Sequence, residues 1–162
     1  MSRPLNILFV CTGNTCRSVL AQAFMKKIME QVSGKNTEVN VFSAGVAAVA
    51  GLAASEEALK VLHTHGIDCS EHRSSPVTPE LVKKAHYIFT MTPGQKQYLL
   101  DSYPGARGKV WLLKEYAGGG EAAVSDPFGR GITAYRQAAA EIGEALQKIV
   151  IKWGRLREKE EK

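Results

Sequence analysis

The sequence is poor in several features that define other classes of protein. Its 162 residues include only three cysteines, an odd and small number that argues against a disulfide framework and favours free thiols in a reducing compartment. No apolar run approaches the roughly 20 residues that span a bilayer. The N-terminal segment MSRPLNILFV has one arginine and no small-residue cleavage site, unlike a secretory signal. We therefore expect a cytoplasmic protein with no membrane partner.

The chain also lacks internal repeats, low-complexity tracts and a recognisable interdomain linker. We expect residues 1–162 to form a single domain that buries its own hydrophobic core, and we expect a monomer. The formal net charge of +5 favours encounter with anionic ligands such as phosphorylated proteins. Because the basic residues are scattered and the tail from Arg155 to Lys162 mixes both signs, we do not expect nucleic-acid binding.

The sequence does contain a regular alternation of strand and helix patterns. The strand cores are continuous apolar runs rather than alternating ones, which is typical of strands buried on both faces of a parallel sheet. The predicted strands are Leu5–Val10, Glu38–Ser43, Tyr87–Met91 and Lys109–Leu113. The helical patterns cover Arg17–Val32, Ser55–His65 and Thr133–Arg157, with two further helices beginning at Thr78-Pro79 and at Thr92. This order predicts an α/β fold, a doubly wound parallel sheet with helices on both faces.

Local signals mark where several of these helices begin or end. Gly66 stands where a left-handed C-cap is needed. Thr78 followed by Pro79 is typical of an N-cap with proline at the first helical position. Thr92 with Gln95 three residues later is a capping-box pattern.

Parallel sheets of this kind place their sites at the carboxyl ends of the strands. Cys11, Ser43 and Thr92 all fall at predicted strand ends. The glycine-rich, irregular segment Glu115–Ile132 follows the fourth strand, so we expect it on the same rim, and connections of this length are usually functional.

The most informative stretch is CTGNTCRS, residues 11–18, between the first strand and the first helix. Backbone N–H groups there have no helical partner, so a curled loop binds an anion with help from the helix dipole. Gly13 and Asn14 allow the unusual backbone angles of such a curl, and Arg17 offers a planar fork for two phosphate oxygens. The lysine of a nucleotide-binding loop and the glycines of a dinucleotide site are missing. No histidine or cysteine pair has metal-ligand spacing, so we expect no metal and no cofactor.

The loop begins with Cys11, a candidate nucleophile. A thiol beside a helix N-terminus and a cation ionises with a pKa of roughly 3.5–7.5 instead of about 8.5. Full ionisation at neutral pH gains only about 30-fold in thiolate, or roughly 2 kcal/mol. Phosphoryl transfer needs far more, chiefly from stabilisation of charge on the equatorial oxygens. We therefore expect the loop amides and Arg17 to be the main source of catalysis, with Cys11 as the nucleophile that they hold.

These residues resemble the phosphate-binding loop of the low-molecular-weight protein tyrosine phosphatases, a Cys-x5-Arg family that also includes bacterial protein arginine phosphatases and some arsenate reductases. Val19 departs from the proline that most members carry, and we expect little effect because proline there only helps to start a helix. The resemblance implies a three-layer fold with a four-stranded parallel sheet in the order 2-1-3-4. Further family landmarks follow in the expected order: Ser43-Ala44-Gly45, Gly66-Ile67-Asp68, His72-Arg73-Ser74 and Asp126-Pro127-Phe128-Gly129.

The resemblance also implies roles for individual residues. Cys11 would form a phosphocysteine, Arg17 would clamp the phosphoryl group, and Ser18 would donate its hydroxyl to the thiolate. Asp126 would act as general acid and then general base, with Pro127 restricting its backbone to extended conformations. The residues expected to contact phosphate or substrate are Thr12, Gly13, Asn14, Thr15, Cys16, Arg17, Ser18 and Phe128.

A support network and a redox pair follow from the same resemblance. Asn14, Ser43 and His72 would hold the loop in shape. Cys16 would form a reversible disulfide with Cys11 and so protect the nucleophile from irreversible oxidation. The alternative for Cys16 is a packed thiol without a redox role.

Thr15 bears on the choice of substrate. Tyrosine phosphatases of this family generally carry an aliphatic residue there, whereas the arginine phosphatases have threonine. A hydroxyl favours a polar phosphoguanidinium over the apolar fit of a phenyl phosphate, and Asp126 adds a charge contact to a guanidinium. We therefore expect hydrolysis of phosphoarginine in proteins. Phosphotyrosine hydrolysis, arsenate reduction and a redox sensor without turnover are the alternatives, and arsenate reduction lacks a third cysteine placed for a thiol relay.

Overall fold

Four strands form one parallel sheet within the part of the chain that the computed structural model describes, residues 4–32, 38–119 and 123–160, with side chains as far as residue 156. They are β1 (Leu5–Cys11), β2 (Val39–Gly45), β3 (Tyr87–Thr90) and β4 (Val110–Leu112). All neighbouring pairs are parallel, and their order is β2-β1-β3-β4. The predicted sheet and its strand order are confirmed.

The central strand β1 shows why its apolar run is continuous. Ile7, Leu8, Phe9 and Val10 are all fully buried. Successive side chains of a strand point to opposite faces, so Ile7 and Phe9 join one apolar cluster while Leu8 and Val10 join the other. Both faces of the sheet are therefore covered, as the sequence pattern predicts.

Helices cover the two faces unequally. The larger cluster draws on α1 (Arg17–Val32), α2 (Glu56–Thr64) and α6 (Ile132–Glu160), and the smaller one on α3 (Pro79–Lys84) and α4 (Pro93–Ser102). No helix in the described ranges is both long enough and apolar enough to cross a membrane.

The local helix signals are confirmed. Ser55 and Thr78 each accept a backbone N–H at the start of a helix, and Thr92 forms the full capping box with Gln95. Gly66 adopts a left-handed conformation with φ of 74° after α2, which glycine does without steric cost.

The largest departure from the predicted elements follows β4. Leu113 begins a short helix, α5 (Leu113–Tyr116), instead of ending the strand. The predicted irregular segment therefore starts later than Glu115, because Tyr116 packs edge-on against Tyr87 and Phe89 and is held in this cluster. Residues 120–122 of that segment lie outside the described residues.

Smaller differences concern the ends of elements. β1 and β2 run on to Cys11 and Gly45, one and two residues beyond their predicted ends, because they stay paired with each other to that point. On α6 the recurring apolar residues are buried as far as Ile149, but Leu156 is exposed because the helix by then has passed its packing partners in the core cluster.

Candidate active site

The loop between β1 and α1 lies at the carboxyl edge of the sheet, beside the end of β2. Cys11 pairs with Gly45 in the sheet register. A Cβ at position 45 would lie 2.4 Å from the Thr12 carbonyl oxygen, so the close approach of β2 to the loop requires glycine. Asn14 is the only non-glycine residue with a positive φ, 57°, among the described residues. The left-handed turn of the loop thus falls on Asn14 and not on Gly13.

The carbonyl groups of the loop are bonded to the segments that surround it. The carbonyl oxygens of Cys11 and Thr12 accept N–H groups of Val46 and Ala47, each at 2.9 Å, and that of Thr15 accepts the Ser55 N–H at 3.0 Å. With its carbonyls directed outward, the loop presents the N–H side of its peptides to the interior, which is the arrangement of an anion-binding nest.

Hydrogen bonds around Asn14 fix the direction of a proton at the Cys11 sulfur. The Asn14 Oδ1 accepts the Ser75 N–H at 2.9 Å, so its amide nitrogen faces Ser18 and donates to the Ser18 Oγ at 2.8 Å. An amide NH2 only donates, so the Ser18 hydroxyl accepts from it and keeps its own proton available. With Cys11 as the thiolate, which can only accept, that proton is donated to the Cys11 Sγ, 2.9 Å away. The Asn14 N–H also donates to this sulfur, at 3.3 Å.

The three expected supports of the loop have different surroundings. Asn14 is bonded as described, and His72 donates its Nε2–H to the Asn14 carbonyl at 2.8 Å. Ser43 instead donates its hydroxyl to Gln22 on α1 at 2.6 Å. Ser43 is thus joined to α1 from its place in β2, and its role as a support of the loop stays a prediction.

Sequence reasoning missed a support on the opposite side of the loop. Gln95 donates its amide to the Thr12 Oγ1 at 3.1 Å. The capping-box pattern identified Gln95 as a helix-start residue, but this pattern uses only the amide oxygen and gives no sign of where the amide nitrogen points.

Arg17 and Asp126 lie next to each other at the mouth of the loop. The Arg17 side chain is only 5% exposed and forms an ion pair of 3.6 Å with Asp126, whose side chain is 57% exposed. Arg17 also donates to the Val124 carbonyl at 3.0 Å. The second carboxylate oxygen of Asp126 accepts the Phe128 N–H at 3.1 Å. The carboxyl group is thus held at the rim while it remains open to solvent.

Phe128 and Thr15 flank the site differently. Phe128 is 70% exposed, so it offers a ring face at the surface and does not line an enclosed pocket. Thr15 is half-buried, and its hydroxyl lies 3.6 Å from the Cys16 sulfur.

Cys16 is a buried free thiol with partners away from Cys11. Its sulfur lies 3.1 Å from the Tyr135 hydroxyl and donates to Ser55 at 3.6 Å. Burial, followed by the hydrogen bond with Cys16, raises the pKa of Tyr135. Cys11, Cys16 and Cys69 are all unpaired.

Comparison with known proteins agrees with this geometry. The chain is 41% identical over 145 residues to a protein-arginine-phosphatase of Bacillus subtilis, a match that covers 90% of this chain and 94% of that protein. The structure of the YwlE arginine phosphatase from Geobacillus stearothermophilus superposes with a TM-score of 0.87 at 37% identity, covering 96% of this chain and 97% of that one. A further YwlE arginine phosphatase structure, a cysteine-to-serine mutant with a phosphorylated active-site serine, has a TM-score of 0.85 at 39% identity, covering 91% and 95%.

The family assignment follows from the extent of these matches. The model of the low molecular weight phosphotyrosine protein phosphatases matches residues 6–162, and the expectation of a cysteine-dependent phosphatase is confirmed. The chain belongs to the low molecular weight phosphotyrosine protein phosphatase family.

Proposed function

We propose that this protein hydrolyses phosphoarginine in phosphorylated proteins through a phosphocysteine on Cys11. The observation that carries the reaction is the Ser18 hydroxyl directed at the Cys11 sulfur, at the start of a loop whose arginine is paired with Asp126. The substrate assignment rests on Thr15 in the loop and on the similarity to relatives that are named as arginine phosphatases.

In the first step the Cys11 thiolate attacks phosphorus and the bond from phosphorus to the guanidino nitrogen breaks. The loop N–H groups and Arg17 hold the three equatorial oxygens, where charge is spread in the transition state. Asp126, as the protonated acid, gives its proton to the leaving nitrogen. Its exposure at the rim suits a leaving group that belongs to a large protein substrate.

In the second step water attacks the phosphorus and the S–P bond breaks. Asp126, now a carboxylate, takes a proton from this water, and inorganic phosphate is released. The departing Cys11 thiolate is stabilised by the donors that already face its sulfur, the Ser18 hydroxyl and the Asn14 N–H.

The guanidinium of the substrate is matched by two features of the site. A carboxylate at Asp126 attracts a cationic guanidinium after proton transfer, and the exposed Phe128 ring offers a face on which a planar cation can stack. The Thr15 hydroxyl adds polarity where an aliphatic side chain would favour an aryl group.

The remaining expectations belong to the same proposal. The protein acts in the cytoplasm as a monomer, and peroxide converts Cys11 to a sulfenic acid that condenses with the Cys16 thiol, releasing water and forming a reversible disulfide. The three free thiols support a reducing compartment.

Substitution of Thr15 tests the substrate assignment. We expect Thr15→Ile to lower kcat/KM on a phosphoarginine peptide and to raise it on the matched phosphotyrosine peptide, because the change removes one hydroxyl while keeping a β-branched side chain. Cys11→Ser, assayed under reducing conditions, sets the background for both peptides. An unchanged ratio between the peptides would remove the argument from Thr15, and a wild type that prefers phosphotyrosine would identify a tyrosine phosphatase.

A further inference from the structure

Gln95, near the start of α4, is a buried amide whose orientation is fixed by the backbone. It is 5% exposed. Its Oε1 accepts the N–H groups of Met91 and Thr92 at 2.9 and 3.1 Å. Because these two donors hold the oxygen, the amide NH2 must point the other way, and it donates to the Thr12 hydroxyl in the phosphate loop.

The Met91 backbone extends this contact toward the segment that carries Asp126. Its N–H is bonded to Gln95, and its carbonyl accepts the Val124 N–H at 2.9 Å. The Val124 carbonyl in turn accepts the Arg17 guanidinium at 3.0 Å. Gln95 is therefore the point at which the beginning of the phosphate loop, its arginine and the Asp126 segment are joined through the end of β3.

Burial makes these hydrogen bonds costly to lose. Met91 and Val124 are fully buried, and Arg17 is 4% exposed. In such low-dielectric surroundings a polar group that loses its partner keeps the full cost of its desolvation. The observed arrangement is thus strongly favoured over any in which the backbone N–H and carbonyl of Met91 lose their partners.

We propose that Gln95 is a positioning residue that holds Asp126 and the phosphate loop in one arrangement, through Met91 on one side and Thr12 on the other. The inference rests on the proposed roles of Arg17 and Asp126. Displacement of a reacting group by about 1 Å can cost on the order of 100-fold in rate. Loss of the Gln95 hydrogen bonds therefore has a measurable effect on the proton transfer to the leaving group.

The test is Gln95→Met, which keeps the approximate length of the side chain and removes all three of its hydrogen bonds, to the Met91 and Thr92 N–H groups and to the Thr12 hydroxyl. The readout is kcat/KM on two aryl phosphates, p-nitrophenyl phosphate, whose leaving group needs little protonation, and phenyl phosphate, which needs the acid. We expect kcat/KM to fall about 10-fold on p-nitrophenyl phosphate and about 100-fold on phenyl phosphate. Asp126→Asn should likewise reduce kcat/KM more on phenyl phosphate, because that substrate needs the acid. An unchanged ratio between the substrates, with wild type active on both, overturns the inference. Failure of the wild type itself to hydrolyse them overturns the proposed function instead.

Two further variants separate positioning from helix capping. Thr92→Ala removes the other side-chain cap of α4, the one that accepts the Gln95 N–H, and is expected to lower the melting temperature while keeping the wild-type substrate ratio. If it reproduces the ratio of Gln95→Met, the start of the helix is responsible and the inference fails.

Gln95→Glu keeps an acceptor for both backbone N–H groups but cannot donate to Thr12, and it should slow both substrates by a common factor. A shifted ratio in this folded variant would contradict the route through Met91.

A double-mutant cycle tests the route through Thr12. Thr12→Val removes the acceptor of the Gln95 amide and leaves the contacts to Met91 and Thr92 in place. We expect the loss in the double variant with Gln95→Met to be clearly smaller than the product of the two single losses, because one hydrogen bond is shared. Fully multiplicative losses would show that the two side chains act independently and would overturn this part of the proposal.

Discussion

Replacement of Ser18 by alanine is expected to slow breakdown of the phosphocysteine much more than its formation. The Asn14 oxygen is held by the Ser75 N–H, which forces the Asn14 amide to donate to Ser18 and leaves the Ser18 proton for the Cys11 sulfur. The second step expels this sulfur as a thiolate, so a donor 2.9 Å away stabilises the charge as it develops.

The size of the effect follows from the nature of the bond. A hydrogen bond to a charged group contributes about 1.5–3 kcal/mol, which corresponds to a roughly 10- to 150-fold slower second step at 1.36 kcal/mol per factor of ten. The Asn14 N–H, at 3.3 Å from the sulfur, remains as a donor and keeps the loss within this range. In the first step the loss of this donor also makes the thiolate more nucleophilic. This gain offsets most of the lost stabilisation, so we expect the rate of phosphocysteine formation to fall by less than about 10-fold.

Pre-steady-state kinetics with p-nitrophenyl phosphate distinguish the two steps. We expect Ser18→Ala to show a burst of nitrophenol of nearly one equivalent, followed by slow turnover, and to accumulate phosphoenzyme that can be trapped by acid quench. Thr78→Ala, which removes a helix cap on α3 and no contact to the sulfur, controls for loss of stability. Equal slowing of both steps, or turnover without any burst, would refute the argument from the direction of the Ser18 proton.

Two further predictions concern packing and ionisation. Gly45→Ala places a Cβ 2.4 Å from the Thr12 carbonyl oxygen. It should lower the free energy of unfolding by about 1–3 kcal/mol and abolish phosphate binding, both measured by calorimetry. The control is Gly105→Ala, which has open space around it and should leave both quantities unchanged. Burial raises the pKa of Tyr135 above its ordinary value of 10.0, so the folded state holds this proton more tightly than the unfolded state. The resulting stability is fully present below pH 10.0. It is lost as the pH rises, by at most about 1.4 kcal/mol per pH unit. Urea unfolding between about pH 8 and pH 11 should therefore show a steeper decline for wild type than for Tyr135→Phe, and identical slopes would contradict the assignment.

The parts of the fold that could be predicted from the sequence depend on neighbouring residues. The apolar runs of β1 and β3, the cap at Thr78 and the capping box of Thr92 are local signals. Each appears in the structure, the two strands with their ends shifted by one residue. The position of Cys11 at a strand end is of the same kind, because a strand followed by a polar loop and a helix fixes it within a few residues.

What could not be predicted depends on contacts between distant parts of the chain. The Tyr135 hydroxyl meets Cys16 across 119 positions, and Gln95 meets Thr12 across 83. The helical pattern over Thr133–Arg157 gave no sign of the Tyr135 contact, since periodicity indicates which face of a helix is buried and not what a hydroxyl touches there. Ser43 is a further example. Its place at a strand end did not indicate whether its hydroxyl would donate to the loop or, as in the structure, to Gln22.

The two amides that support the loop act by the same physical device from opposite sides. In Asn14 and Gln95 alike, backbone N–H groups hold the oxygen, and the nitrogen is thereby directed at a hydroxyl of the loop, Ser18 in one case and Thr12 in the other. Each hydroxyl must then accept from the amide, and its own proton is left for another acceptor. A carboxylate has nearly the same shape but cannot donate, so aspartate or glutamate in these places would draw the hydroxyl proton toward itself. The loop therefore requires amides because the direction of two protons depends on them, and shape alone would not supply it.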